Sequence, residues 1–120
     1  LGVSNIQVEQ AGDSDPLLPP PLPAELSREQ IKDKIRETFG AEADKAIRVA
    51  ECESNFNAGA VGDSNTAHHS IGIFQIRLLK GRPEKEWLEN PEQNIQYAHG
   101  MWQKQGWRPW TCAKKLGIAS

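Results

Sequence analysis

Glu53 follows Cys52 directly and precedes Ser54-Asn55-Phe56-Asn57. A carboxyl near an apolar aromatic, at the C-terminal end of a helix whose dipole opposes negative charge, has its pKa pushed upward. Such a group stays protonated near neutral pH and can serve as a general acid. The plainer use of the same residue is a solvated helix carboxylate, as most glutamates are. Asp63, ten residues on in a Gly-Asp-Ser loop, is the best-placed second carboxylate. Aspartate in that company is also a common turn former. Glu51, two positions from Glu53, faces elsewhere on a helix.

Other chemistries find less support. A Cys–His nucleophile would need a free thiolate at Cys52 or Cys112 beside His68, His69 or His99, and no flanking signature accompanies them. His68, His69, His99 and Asp63 lack zinc-ligand spacing, and adjacent histidines point to different sides. A Ser–His–Asp triad lacks its nucleophile elbow, and no glycine loop is built to cradle phosphate. Neither a metal nor another cofactor is expected. The formal net charge is −2, and residues 25–120 hold all 14 bases against 13 of the 16 acids. That balance leaves no electrostatic footprint for nucleic acid or an anionic membrane. No apolar run approaches the ~20 residues of a membrane span. Leu1-Gly2-Val3-Ser4 has neither Met nor the build of a signal peptide, and reads as the start of a mature or excised fragment. Two cysteines alone leave open whether they are bonded or merely buried.

The elements that must position these groups lie in a chain of 120 residues, the size of one domain. Five of the eight prolines (Pro16, Pro19, Pro20, Pro21 and Pro23) fall within eight positions, so residues 1–24 read as an extended tether. A ligand for a proline-binding module is the sharper use of that segment. Residues 25–120 are then left to fold. Ser27 and Gln30 have capping-box spacing, Ile31, Ile35 and Phe39 recur on one face, and Gly40 supplies a stop. A second helix is expected from about Glu42 to Ser54, with Ala46, Ile47, Ala50 and Ser54 on one face. Residues 55–70 carry loop chemistry with room for a short hairpin, and an apolar run, Ile71 to Ile76, is broken only by Gln75. Asn90 and Pro91 start a third helix, which ends at Gly106. A final turn is expected over Ala113–Leu116. The fold class is α+β, mainly α-helical, with one loop-rich insert.

At this point the residues resemble a family. Ala50-Glu51-Cys52-Glu53-Ser54-Asn55-Phe56-Asn57, followed by Ser70-Ile71-Gly72-Ile73-Phe74-Gln75-Ile76, looks like the paired E-S and G-L-M-Q motifs of soluble lytic transglycosylases. Asn90-Pro91-Glu92-Gln93-Asn94-Ile95, through Tyr97-Ala98, is similar to the helix that follows them there. The Cys-Glu-Ser triplet and the closing Gly106-Trp107-Arg108-Pro109-Trp110-Thr111-Cys112 resemble resuscitation-promoting factors even more closely. The resemblance covers roughly residues 43–116. It implies a lysozyme-like fold and a monomeric, extracytoplasmic enzyme. Its partner would be peptidoglycan, cut at the β-1,4 bond between N-acetylmuramic acid and N-acetylglucosamine.

The same resemblance implies that Glu53 is the catalytic acid and that Gln75 lines the sugar cleft. Asn94 and Tyr97 would lie on the helix walling that cleft, and Cys52 would be bonded to Cys112. Trp107 and Trp110 are either core or stacking platforms for sugar rings. The A-Y-N motif of soluble transglycosylases is missing, and Ile73-Phe74 stands where Leu-Met would be. Those departures bear on product type. A lytic transglycosylase with one acid is expected first, and a hydrolytic muramidase using Asp63 second. A weakly active peptidoglycan-binding or resuscitation-signalling module and a chitin-directed glycosidase remain as rivals.

Overall fold

The computed structural model describes residues 26–63 and 68–119, so the tether expected over residues 1–24 lies outside the described residues. Helix α1 (Arg28–Phe39) starts where its cap requires. The Ser27 hydroxyl accepts from the Gln30 N–H at 3.1 Å, and the Gln30 side chain accepts from the Ser27 N–H at 2.7 Å. Two otherwise orphaned donors are thereby satisfied. Ile31, Ile35 and Phe39 are buried, and Gly40 turns the chain at a φ of 55° into a short 3₁₀ turn, Gly40–Glu42.

Helix α2 (Ala43–Ser54) buries Ala43, Ala46, Val49 and Ala50. Small side chains on that stripe let its backbone come close to its neighbours. It ends on two consecutive left-handed residues, Asn55 and Phe56. Beyond them lie strands β1 (Val61–Gly62), β2 (Ser70–Ile71) and β3 (Ile76–Arg77) in one antiparallel sheet of that order. Val61 faces Ile71 across the first ladder, and Ile71 faces Ile76 across the second.

The insert is therefore a three-stranded meander. The expected hairpin is its first half. Helix α3 (Lys85–Leu88) is a single turn with no counterpart among the sequence expectations. Helix α4 (Pro91–Gln105) has Asn90 as its cap, accepting from the Gln93 N–H at 3.1 Å, and Gly106 at its end. Helix α5 (Thr111–Lys115) starts two residues before the expected turn.

Helix α1 packs on both α2 and α4, and α5 packs on α2. The core between them is aromatic. Phe39 lies 5.6 Å from Phe74 and 5.5 Å from Trp107, and Trp107 lies 5.2 Å from Trp110. Rings at such offset and tilted geometries add ~0.5–1.5 kcal/mol per pair beyond their buried area. Both tail tryptophans are pinned by their indole N–H. Trp107 donates to Glu42 at 3.1 Å and Trp110 to the Phe74 carbonyl at 2.9 Å.

Candidate active site

A groove of about 520 Å³ opens between the end of α2, the sheet and the segment leading into α5. Glu53, Asp63, Gln75, Arg77, Met101 and Trp110 are among its lining residues. Glu53 is half-buried on the last turn of α2. Its Oε2 accepts from the Cys112 backbone N–H at 3.2 Å. Burial pushes its carboxyl above the ordinary value of 4.5, and the nearby Asp63 charge adds to that. The Cys112 N–H and the Lys115 charge pull the other way without cancelling it. The sequence argument named Phe56 as the apolar neighbour. Phe56 lies under the Arg28 guanidinium, which sits 4.6 Å from its ring centroid.

Cys52 and Cys112 are joined by a disulfide across 60 residues, with Cα atoms 5.9 Å apart. The bond ties α2 to α5 beside Glu53, and so fixes the N–H that the carboxylate accepts.

Gln75 lines the same groove and is held at a φ of 49° in the turn between β2 and β3. A non-glycine residue in that region persists only where its surroundings over-determine it. Here three helices do so. Ser54 of α2 donates its hydroxyl to the Ile73 carbonyl at 2.7 Å. Asn94 of α4 accepts from the Phe74 N–H at 2.8 Å and donates to the carbonyls of Ile71 and Leu88, both at 2.9 Å. Trp110, which caps α5, takes the Phe74 carbonyl. Gly72, at a φ of 82°, completes the turn, because a Cβ there would run into the Asn94 amide and the Leu88 carbonyl. The Gln75 amide N–H₂ donates to the Ala60 and Gly72 carbonyls, each at 3.1 Å.

A family model described as a lysozyme-like domain matches residues 36–112. That span holds every element from the end of α1 to the start of α5. This chain belongs to the lysozyme-like domain family. Two curated relatives, both called membrane-bound lytic murein transglycosylase C, come from Serratia proteamaculans and Pectobacterium atrosepticum. Each is 33% identical over 70 residues, covering 52% of this chain. The chain spans about a fifth of those relatives' length, 20% in each case.

Within the lysozyme-like domain, Asp63 shares the groove with Glu53 but is held differently. Its carboxylate accepts from the Ser70 hydroxyl and pairs with Arg77 at 3.3 Å. Chiefly the Ser70 bond, and then Arg77, hold its pKa below the ordinary carboxyl value. The domain thus presents a carboxyl biased toward its protonated form and another biased toward its charged form in one groove. Environments that push two carboxyls apart in this way separate an acid from an anion.

The remaining expected site residues divide. Asn94 is fully buried and spends its amide on backbone, so it supports the Gln75 turn from within the core. Trp110 is 3% exposed and lends the groove a wall; a stacking platform would need a free ring face. Trp107 is core. Tyr97 borders a smaller groove that joins the main one at Arg82 and Met101. Ser54, Ser70, Arg77 and Arg82 were missing from the sequence-level site. Only Ser54 carried a signal, as the second letter of its motif. Among the described residues, no group of three or more His, Cys, Asp or Glu is placed to hold a metal ion.

Proposed function

We propose that this domain cleaves the β-1,4 bond between N-acetylmuramic acid and N-acetylglucosamine in peptidoglycan, as a lytic transglycosylase with Glu53 as sole acid and base. The observation that carries the proposal is the half-buried Glu53 in the groove, its pKa raised by burial. Family membership and the names of the two relatives support the same substrate. Glu53 gives its proton to the glycosidic oxygen as positive charge develops at the anomeric carbon. The substrate's own acetamido oxygen closes on that carbon. The Glu53 carboxylate then takes the proton of the muramyl 6-hydroxyl as the hydroxyl oxygen displaces the acetamido oxygen from the anomeric carbon, which restores the acetamido group and leaves a 1,6-anhydro end. Gln75 supplies a polar wall beside the acid. Residues 25–120 are proposed as the catalytic unit and residues 1–24 as its tether.

One observation favours a hydrolytic second reading. Asp63 is biased toward the charged form and faces the same groove, where it could orient a water. The first reading is preferred because Ser70 and Arg77 both bond Asp63 Oδ2, which ties this carboxylate into the sheet. An extracytoplasmic location fits the disulfide and the membrane-bound relatives. No described helix is long and apolar enough to cross a membrane.

The test is muropeptide release from purified sacculi by wild type and Glu53→Gln. Release by the wild type with a loss of ~10²–10⁴-fold in the variant supports the proposal. Sacculus binding without release by either protein would favour the binding module.

A further inference from the structure

The smaller groove beside the site, about 260 Å³, has a composition that the cleavage chemistry does not explain. Its wall is one face of α4, where Gln96, Tyr97, Gly100, Lys104 and Gln105 recur at helical spacing. Arg82, from the loop after β3, closes it and also lines the catalytic groove. None of its lining residues is acidic. Among the described residues the Arg82 guanidinium makes one hydrogen bond, from Nη1 to the Arg77 carbonyl at 3.1 Å. Neither Arg82 nor Lys104 has a carboxylate within ion-pair distance among the described residues. On its far side Arg82 borders a shallow trough that carries Glu84 and Glu86, and neither reaches it.

Gly100 adds an independent observation. A glycine in mid-helix costs stability relative to alanine, roughly 0.5–1 kcal/mol. It is tolerated where packing forbids a Cβ, yet a Cβ at position 100 would meet nothing within 4 Å. Packing therefore gives no reason for glycine here, and its effect is a notch in the groove wall. A notch flanked by two cations that no described carboxylate pairs with, two primary amides and a phenol suits an anionic chain that also carries amide groups.

We infer that this side groove binds the peptide stem of the muramyl residue, with Arg82 and Lys104 taking its free carboxylates while the glycan backbone lies in the main groove. The inference rests on the proposed peptidoglycan substrate. It predicts that the domain prefers peptide-bearing glycan to the same glycan stripped of peptide by an amidase. A free anionic polymer would lack the covalent link that places the stem beside Glu53.

The test measures equilibrium binding of soluble peptide-bearing and peptide-free oligosaccharides by NMR titration, with cleavage of both followed in parallel. Wild type should bind the peptide-bearing form more tightly. Arg82→Gln and Lys104→Gln should each cut that ratio by roughly three- to ten-fold, the scale of an exposed or half-exposed charge-assisted bond. The preference should also shrink as salt is raised. Gly100→Leu should fill the notch and cut the ratio while leaving the melting temperature equal or higher, which a purely structural glycine would not do. A wild-type ratio of one, or a ratio that survives all three substitutions, overturns the inference. Binding with the expected ratio but no cleavage of either oligosaccharide overturns the proposed function and supports the side groove.

Discussion

Replacing Asn94 tests whether the Gln75 turn is held from inside the core. Asn94 is fully buried, and its side chain satisfies the Phe74 N–H and the Ile71 and Leu88 carbonyls. Leucine has the same number of heavy atoms and the same branching at Cγ, so Asn94→Leu removes the polar atoms without opening a cavity. A buried backbone group left without its partner costs ~1–3 kcal/mol. Three such groups, with part of the loss recovered by relaxation, amount to about 3–5 kcal/mol. That is a large share of the ~5–15 kcal/mol typical of a domain, and corresponds to a fall of roughly 15–30 °C in Tm.

Asn94→Asp separates the hydrogen-bond pattern from packing. Its carboxylate oxygens would accept from the Phe74 N–H but would confront the Ile71 and Leu88 carbonyls. Only the protonated form can donate to one of them, so folding raises the pKa of the new carboxyl. A raised folded-state pKa means stability is greatest below the unfolded value, near 4, and is lost as pH climbs through the folded one. Urea titration from pH 4 to 8 reads both effects. If Asn94→Leu lies within 1 kcal/mol of wild type, or the stability deficit of Asn94→Asp is flat with pH, the buried clamp is wrong. A change in KM with no change in stability would return Asn94 to the sugar cleft.

Three further outcomes follow from the same geometry. Because burial raises the Glu53 pKa, its ionisation in the fold costs stability as pH rises above the ordinary value of 4.5. Glu53→Gln, which keeps the Cys112 contact, should therefore raise Tm at pH 7 and lose that gain below pH 4.5; a variant less stable at both pH values contradicts this. Reducing the Cys52–Cys112 bond releases a 60-residue span in the unfolded chain, worth about 4 kcal/mol in the chain-entropy model, and frees the N–H at Glu53. Both Tm and turnover should fall on reduction, and an unchanged melting curve would refute it. Asp63→Asn removes a charge that raises the Glu53 pKa, so the alkaline limb of the rate profile should move to lower pH with turnover retained below it. Abolished turnover at every pH would instead make Asp63 a catalytic residue.

What the sequence disclosed was local. The Ser27–Gln30 box, the Asn90-Pro91 start and the stops at Gly40 and Gly106 depend on neighbours within one turn, and each lies where expected. The single turn of α3 and the two-residue strands are too short for periodicity to register. The shape of the Gln75 turn was not legible, because its anchors are long-range. Ser54 lies 19 residues from Ile73, Asn94 20 from Phe74, and Trp110 36 from Phe74. The same distance effect explains Asn94 and Trp110. A helix pattern shows that a residue faces inward, and only the packed structure shows whether inward means core or groove. The side groove was invisible for the opposite reason, since it arises where a loop arginine meets the polar face of α4.

The central claim, that Glu53 alone drives cleavage to an internal ring closure, is tested most directly by the mass of the glycan ends released from sacculi. The expected product carries a 1,6-anhydromuramyl end, one water lighter than the hydrolytic product and inert to borohydride. Reducing muramyl ends, converted quantitatively by borohydride, would contradict it and assign the missing water to a second carboxylate.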